Sequence, residues 1–138
     1  MSPHSYQEWL AVANERALDA EAIHKNRPQS VCSVYLAGYA IECSLKALLQ
    51  RQGKPFPKHG NEGHNLKALW EGSGFRLCDI QDSKGIQTFF IQKWDTALRY
   101  ETSLPSNPGL TIADLIQGAR QLTGKIQTAV RRRPKRRR

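Results

Sequence analysis

The sequence has few cysteines, and their spacing limits what they can do. Cys32, Cys43 and Cys78 include no CxxC pair. Cys32 and Cys43 fall on one predicted helix about 16 Å apart, which is too far for a disulfide. We therefore expect three reduced cysteines, which we interpret as small core residues of a cytoplasmic protein rather than as redox or zinc-binding residues.

Long apolar runs are also missing. A membrane-spanning helix needs roughly 18 apolar residues, and Glu42 and Lys46 interrupt the best candidate. The first nine residues, MSPHSYQEW, contain no apolar signal core. The sequence thus predicts neither a membrane span nor secretion by the usual route.

Motifs for metals and common cofactors are absent as well. The four histidines, His4, His24, His59 and His64, form no i,i+4 pair and have no carboxylates at ligand spacing. GxGxxG, Walker and Ser-His-Asp patterns are missing. We therefore expect no metal and no cofactor.

What the sequence does have is a nearly neutral body followed by a basic end. The net charge of +9 comes largely from RRRPKRRR at residues 131–138, which carries seven of the 21 Lys and Arg residues. The remaining 14 basic residues face 12 acidic residues. With a length suited to a single core, the chain is predicted to be one globular domain (1–130) and a disordered basic tail (131–138).

One apolar stretch, residues 31–51, organises the predicted fold. Its apolar positions recur at steps of four and three and form a stripe on one helical face: Val34, Gly38, Ile41, Leu45 and Leu48. Further apolar residues widen the stripe, which favours a helix packed on several sides. Glu42 and Lys46 are spaced for an i,i+4 ion pair. Glycine in a helix is unfavourable by roughly 1 kcal/mol relative to alanine, so Gly38 indicates close approach of a backbone or a large ring.

The other predicted elements are also helices. Capping patterns begin a first helix at Ser5, ending near Lys25, and a last helix at Thr111, reaching about Ala129. A short helix is predicted to open at 64–66 and to run through Trp70, and a fourth long helix is predicted from the cap Ser83 to about Tyr100. No segment shows convincing strand alternation. These elements predict an all-α antiparallel helical bundle of four long helices plus a short one.

The order of three segments resembles the HEPN family, the nucleotide-binding domain of higher eukaryotes and prokaryotes. The segments are AGYAIECSLKALL at 37–49, HNL at 64–66 and RY at 99–100, and the resemblance covers roughly residues 5–130. It implies an antiparallel helical bundle that usually forms a homodimer. It also implies work on RNA or nucleotides, often beside a small nucleotidyltransferase or inside a defence or toxin–antitoxin system.

The sequence departs from the ribonuclease members of that family. Those carry an arginine followed, after four to six residues, by a histidine. Here Arg16 and His24, like Arg51 and His59, are separated by seven residues. The catalytic motif of the family is therefore absent.

Other residues offer the same chemistry. RNA cleavage without a metal needs a base, an acid and a cation near the phosphate, and His64 and Arg99 match family positions outside the missing motif. The structural alternatives are that His64 caps or packs locally and that Arg99 complements a helix dipole. Glu42 is interpreted as a partner of Arg99 or of another core cation. Tyr100 is expected either to stack on a base or to lie in the core or a dimer interface.

The basic tail is the strongest electrostatic feature of the chain. A flexible cationic segment can bind phosphates without sequence preference and with a strong dependence on salt. The alternatives are an inert extension of the last helix and a contact with an acidic partner protein. The predicted nucleic-acid-binding residues are Arg131, Arg132, Arg133, Lys135, Arg136, Arg137 and Arg138.

Two hypotheses for function follow. The first is a non-catalytic HEPN-like domain that binds RNA or a partner protein as an accessory or regulatory subunit. The second is a divergent, metal-independent endoribonuclease using His64 and Arg99. A small-molecule nucleotide binder is a third reading, which rests on the resemblance alone.

Overall fold

The computed structural model describes residues 3–57, 63–80, 85–104 and 110–132, and every regular element within these ranges is helical. In chain order the elements are α1 (Tyr6–Asn26), α2 (Val31–Arg51), α3 (Leu66–Gly72), a first 3₁₀ helix (Leu77–Asp79), α4 (Ile86–Gln92), a second 3₁₀ helix (Thr96–Tyr100) and α5 (Ile112–Arg131). The prediction of an all-α protein is confirmed for this part of the chain.

Side chains at the helix ends explain where two of the long helices begin. Ser5 Oγ accepts a hydrogen bond from the Glu8 amide at 3.2 Å, and the Glu8 carboxylate accepts one from the His4 amide at 2.8 Å. Thr111 Oγ1 accepts from the Asp114 amide at 3.0 Å. These bonds satisfy amides that have no partner within the first turn. Both predicted caps are confirmed.

The central helix is α2. It packs against α1, α3, α5 and the second 3₁₀ helix, and every residue from Ala40 to Leu49 is buried. An apolar helix with neighbours on several sides loses its exposed face. The predicted central position of this helix is confirmed.

By length and composition, α2 also passes the test for a membrane span, contrary to the sequence-based expectation. Its mean hydropathy reaches 1.3, and 78% of the apolar window is buried inside the bundle. The core helix of a soluble protein passes the same test, so this single helix is weak evidence for a membrane span.

Helix α1 runs antiparallel to both of its long neighbours. The guanidinium of Arg51, at the end of α2, lies 4.6 Å from the ring centroid of Tyr6, at the start of α1. Arg120 Nε donates to the Glu21 carboxylate at 2.7 Å. A second hydrogen bond between α1 and α5 lies nearer the start of α1, where Gln127 Nε2 donates to Asn14 Oδ1 at 3.1 Å.

The predicted fourth long helix is wrong. Helix α4 stops at Gln92, because the amides of Lys93 and Trp94 both donate to the carbonyl of Phe89, at 2.8 and 3.0 Å. The chain is then extended at Asp95, whose carboxylate accepts from the Ala97 amide and starts the second 3₁₀ helix. The bundle therefore has three long and two short α-helices among the described residues. The predicted cap Ser83 lies outside those residues.

The break after α4 turns Trp94 towards the central helix. Its indole stacks on Tyr35, with ring centroids 6.0 Å apart, and covers the backbone of Gly38. A Cβ built on Gly38 would overlap the indole ring. The predicted close approach of a large ring to Gly38 is confirmed.

Only one of the three cysteines lies in the core. Cys43 is buried, whereas Cys32 and Cys78 are exposed, and all three are free thiols. The prediction of core positions is wrong for Cys32 and Cys78 because Cys32 lies on the outward side of the first turn of α2. Cys78 lies in the first 3₁₀ helix, outside the bundle core.

Candidate functional site

A buried carboxylate, Glu42, holds one cation and one imidazole. Glu42 Oε2 accepts from Lys46 Nζ at 3.0 Å, and Glu42 Oε1 lies 2.7 Å from Nδ1 of His64. The side chains of Glu42 and Lys46 are 1% and 2% exposed, whereas that of His64 is 34% exposed. The predicted i,i+4 ion pair is confirmed, and it lies inside the bundle.

Local structure explains how His64 reaches this carboxylate. Asn65 is the N-cap of α3, and its side chain accepts from the Ala68 amide at 3.1 Å. Because α3 packs on α2, the residue just before this cap lies next to the middle of α2. Lys46 contacts an aromatic ring as well as Glu42, since its ammonium lies 5.2 Å from the ring centroid of Trp9.

The hydrogen bond to Glu42 assigns a role to each ring nitrogen of His64. An ionised carboxylate can only accept hydrogen bonds, so opposite an ionised Glu42 the Nδ1 atom of His64 carries the proton and donates. In the neutral ring, Nε2 is then the acceptor. A carboxylate that is hydrogen-bonded to Nδ1 in this way holds the imidazole ring in one orientation.

His64 lines a polar cleft of about 560 Å³, here called the His64 cleft, between the start of α3 and the segment from α4 to the second 3₁₀ helix. Its size falls within the range of ligand pockets, about 300–1,000 Å³. The lining residues are His64, Asn65, Leu66, Ile91, Gln92, Lys93, Trp94, Asp95, Thr96, Ala97 and Tyr100.

Tyr100 and Arg99 form an exposed pair at the edge of this cleft. The Tyr100 side chain is 77% exposed, and the guanidinium of Arg99 lies 5.0 Å from its ring centroid. Arg99 itself lines a neighbouring groove with Arg27 and Cys32. Within one chain, His64 and Arg99 therefore line adjacent but different cavities.

The cation beside Glu42 is Lys46, and not Arg99 as the sequence analysis allowed. Arg99 is exposed in the second 3₁₀ helix, while the Lys46 side chain follows one helical turn after Glu42. For Tyr100 the sequence left open stacking on a base, a core position and a dimer interface. Tyr100 is exposed, so the core position is wrong, and the other two alternatives stay predictions.

The described part of the basic tail continues α5. Arg131 is the last helical residue, with Nη2 3.5 Å from Gln127 Oε1, and Arg132 is the C-cap. Arg131 is thus helical and not disordered. Because α5 is antiparallel to α1, both arginines lie at the end of the bundle that also holds Arg51. Arg133, Lys135, Arg136, Arg137 and Arg138 lie outside the described residues.

Burial keeps the thiol of Cys43 protonated beside this site. Desolvation is the main cause and the Glu42 carboxylate adds to it, so the pKa of Cys43 is raised to about 12. Burial also raises the pKa of Tyr39. Neither group is suited to act as a nucleophile near neutral pH.

In the described ranges, no group of three or more His, Cys, Asp and Glu side chains could hold a metal ion. Lys93 and Asp95 were not predicted as cleft residues because the sequence pattern indicates a continuous helix there. The Asp95-Thr96 pair, a good N-cap signal, could have indicated the new start.

Comparison of this chain with protein-family models, curated proteins and solved structures finds no match.

Proposed function

We propose that this chain is a HEPN-like, RNA-associated domain that binds single-stranded RNA at the His64 cleft and acts as a non-catalytic accessory or regulatory subunit, in a setting such as a toxin–antitoxin or defence system. The observation that carries the proposal is the Arg99–Tyr100 pair. In this pair the guanidinium lies over the aromatic ring, 5.0 Å from the ring centroid, at the edge of a polar cleft.

The chemistry of this pair suits an unpaired nucleotide. A base stacks on an exposed tyrosine without regard to sequence, while an adjacent arginine binds phosphate. Lys93 and Asn65, which line the same cleft, supply a cation and an amide for the backbone and sugar. Arg131 and Arg132, at the end of the bundle, add sequence-independent, salt-sensitive attraction, and the basic residues that follow them in the sequence add further positive charge.

Binding of labelled single-stranded RNA in EDTA tests the proposal. Loss of one base–aromatic stack weakens binding by about 1–3 kcal/mol, so Tyr100→Ala should raise the Kd by roughly 5- to 150-fold. Arg99→Ala should weaken binding and reduce its salt dependence. Arg76→Ala is the matched control, because the Arg76 side chain is 78% exposed and lies outside the cleft.

Removal of residues 133–138 separates the cleft from the tail. If the proposal holds, the truncated chain binds more weakly but still responds to Tyr100→Ala. Binding that is lost with the tail and unchanged by Tyr100→Ala and Arg99→Ala would contradict a site at the cleft.

A second candidate function is a metal-independent endoribonuclease, and the Glu42–His64 hydrogen bond favours it. In this reaction Nε2 of His64 accepts the proton of a 2′-hydroxyl, and the 2′-oxygen bonds to the adjacent phosphorus. The bond from phosphorus to the 5′-oxygen of the next nucleotide breaks, and that oxygen takes a proton from solvent. The products are a 2′,3′-cyclic phosphate and a 5′-hydroxyl.

Incubation of the protein with labelled RNA in EDTA separates the two candidates. The ribonuclease predicts cleavage that His64→Ala abolishes and that a 2′-deoxy substitution at the cleaved position blocks. His24→Ala is the matched control, since His24 lines a different cavity. Intact RNA after incubation with the wild-type protein, together with binding that depends on Tyr100, rejects the ribonuclease and retains the accessory domain.

A further inference from the structure

A second polar cavity, here called the Arg27 groove, lies beside the His64 cleft. It has a volume of about 540 Å³ and lies between the connection from α1 to α2 and the second 3₁₀ helix. Residues 27–32 line one side, and Leu98, Arg99, Glu101 and Thr102 line the other. Arg99 lines this groove while the next residue, Tyr100, lines the cleft, so the two cavities meet at the Arg99–Tyr100 pair.

Two distant segments of the chain bring two arginines to this groove. Arg27 is the C-cap of α1, and its amide donates to the carbonyl of Ile23 at 2.7 Å. The carbonyl of Arg27 accepts from the amide of Ser30 at 2.9 Å, so a tight turn holds Arg27 next to the start of α2. The second 3₁₀ helix packs on α2 and buries Leu98, whereas the adjacent Arg99 is exposed.

The groove has a positive charge that nothing nearby neutralises. Both arginines are exposed, and in the described ranges neither guanidinium forms an ion pair. Glu101 is the one carboxylate among the lining residues, so two guanidiniums outweigh it. The side chain of Ser30, the N-cap of α2, makes no hydrogen bond to the first-turn amides, and the start of this long helix adds to the positive charge of the two arginines.

We infer that the Arg27 groove is a second subsite for the same RNA strand, where Arg27 and Arg99 bind the backbone phosphate next to the nucleotide that stacks on Tyr100. This inference rests on the proposed function. Arginine binds phosphate through parallel hydrogen bonds. The guanidinium of Arg99 lies 5.0 Å from the ring centroid of Tyr100, so this arginine lies where the strand passes from one cavity to the other.

This arrangement selects a class of ligand. Sites for single strands combine a cationic groove that follows the backbone with aromatic side chains on which bases stack. The His64 cleft with Tyr100 supplies the aromatic part, and the Arg27 groove supplies the cationic part. The ligand is therefore a single strand with at least one phosphodiester linkage, and a free nucleoside or a single nucleotide fills only part of the site.

Alkylation of exposed thiols by N-ethylmaleimide, an uncharged reagent, tests whether RNA occupies the groove. Cys32 lines the Arg27 groove, whereas Cys78 is also exposed but lies on the first 3₁₀ helix, outside both cavities. With a single-stranded octaribonucleotide at about ten times its Kd, about one chain in ten is free. Alkylation of Cys32 in the full chain should then slow by up to about tenfold, while the rate at Cys78 should not change. Mass spectrometry of the peptides follows both thiols.

Arg27→Ala tests the phosphate contact itself. Loss of one phosphate contact to a single strand lowers the slope of log K against log salt by about 0.7, which corresponds to about fivefold weaker binding at 0.1 M salt. Lys25→Ala is the matched control, because Lys25 is exposed in the last turn of α1 and lines neither cavity. Its effect on the Kd should stay below about twofold. Circular dichroism establishes that each variant is folded.

The outcomes separate the subsite from the proposed function. If RNA binding depends on Tyr100 but alkylation of Cys32 is unchanged by bound RNA, the strand does not enter the groove and the inference is overturned. An effect of Arg27→Ala no larger than that of Lys25→Ala also overturns it, since the arginine then contributes only general attraction. RNA binding that protects Cys32 but is unchanged by Tyr100→Ala would instead overturn the proposed site at the cleft.

Discussion

The indole of Trp94 occupies the space that a Cβ on Gly38 would need. Glycine is therefore required at this position for space, since α2 is regular there. Gly38→Ala should destabilise the fold by about 1–3 kcal/mol through overpacking, although alanine has the better helix propensity. Urea unfolding monitored by circular dichroism measures the change.

Gly124→Ala is the matched control for that substitution. It is also a helical glycine, but its added methyl group meets no atom within 4 Å. It should stabilise the chain by up to about 1 kcal/mol. A Gly38→Ala variant as stable as the wild type would show that Trp94 does not pack on α2 in this way.

Substitutions of Glu42 and Lys46 should have strongly non-additive effects on the free energy of unfolding. Removing one partner of a buried ion pair leaves an uncompensated charge and costs about 3–5 kcal/mol. We therefore expect Glu42→Gln and Lys46→Met each to be severely destabilising. The double variant should lose much less than the two single losses together, because it leaves no unpaired charge.

A double-mutant cycle in urea measures this coupling. The matched pair is Arg16 with Asp19, whose side chains are 40% and 47% exposed, and such surface pairs contribute at most about 1 kcal/mol. Additive losses at Glu42 and Lys46 would contradict the buried pair.

Local sequence signals were enough to predict α1, α2 and α5. In each of these helices, apolar residues recur with helical periodicity over many residues. The side chains of the caps Ser5 and Thr111 also accept hydrogen bonds from amides three residues later in the sequence. The break after Gln92 was not predictable in the same way. It depends on Trp94 leaving the helix to pack on Gly38, which is a contact between distant parts of the chain.

The candidate site likewise combines contacts that the local sequence predicts with contacts that it does not predict. The Glu42–Lys46 pair follows from helical spacing alone and was predicted. The hydrogen bond between His64 and Glu42 joins residues on either side of the connection between α2 and α3. Helical spacing does not predict where the chain packs after that connection. Arg99 was a reasonable partner for a core carboxylate by charge, but its place in an exposed 3₁₀ helix depends on the break after α4.

Leu45 should be among the residues on which stability depends most. Its side chain is fully buried in α2, so Leu45→Ala should cost about 2–5 kcal/mol through lost burial and a cavity. Leu18→Ala is the matched substitution at a 60% exposed position and should change the free energy of unfolding by less than about 0.5 kcal/mol. Equal effects in urea unfolding would show that α2 is peripheral.

The three thiols should differ in reactivity. Cys32 and Cys78 are exposed and Cys43 is buried, and burial raises the pKa of Cys43 to about 12. A thiol must be ionised and accessible to react. Ellman's reagent at about pH 8 should therefore modify two thiols quickly in the folded protein and all three in urea.

Cys43 should also make stability depend on alkaline pH. A thiol whose pKa is about 12 when folded and about 8.5 when unfolded remains protonated in the folded chain after it ionises in the unfolded chain. The unfolded state is then favoured as pH rises from about 8.5 towards 12, so the free energy of unfolding falls across that window. The raised pKa of Tyr39 acts in the same direction at higher pH. Cys43→Ala removes the thiol and should flatten the decline relative to Cys32→Ala, whereas identical pH profiles for the two variants would show that Cys43 is not the group responsible.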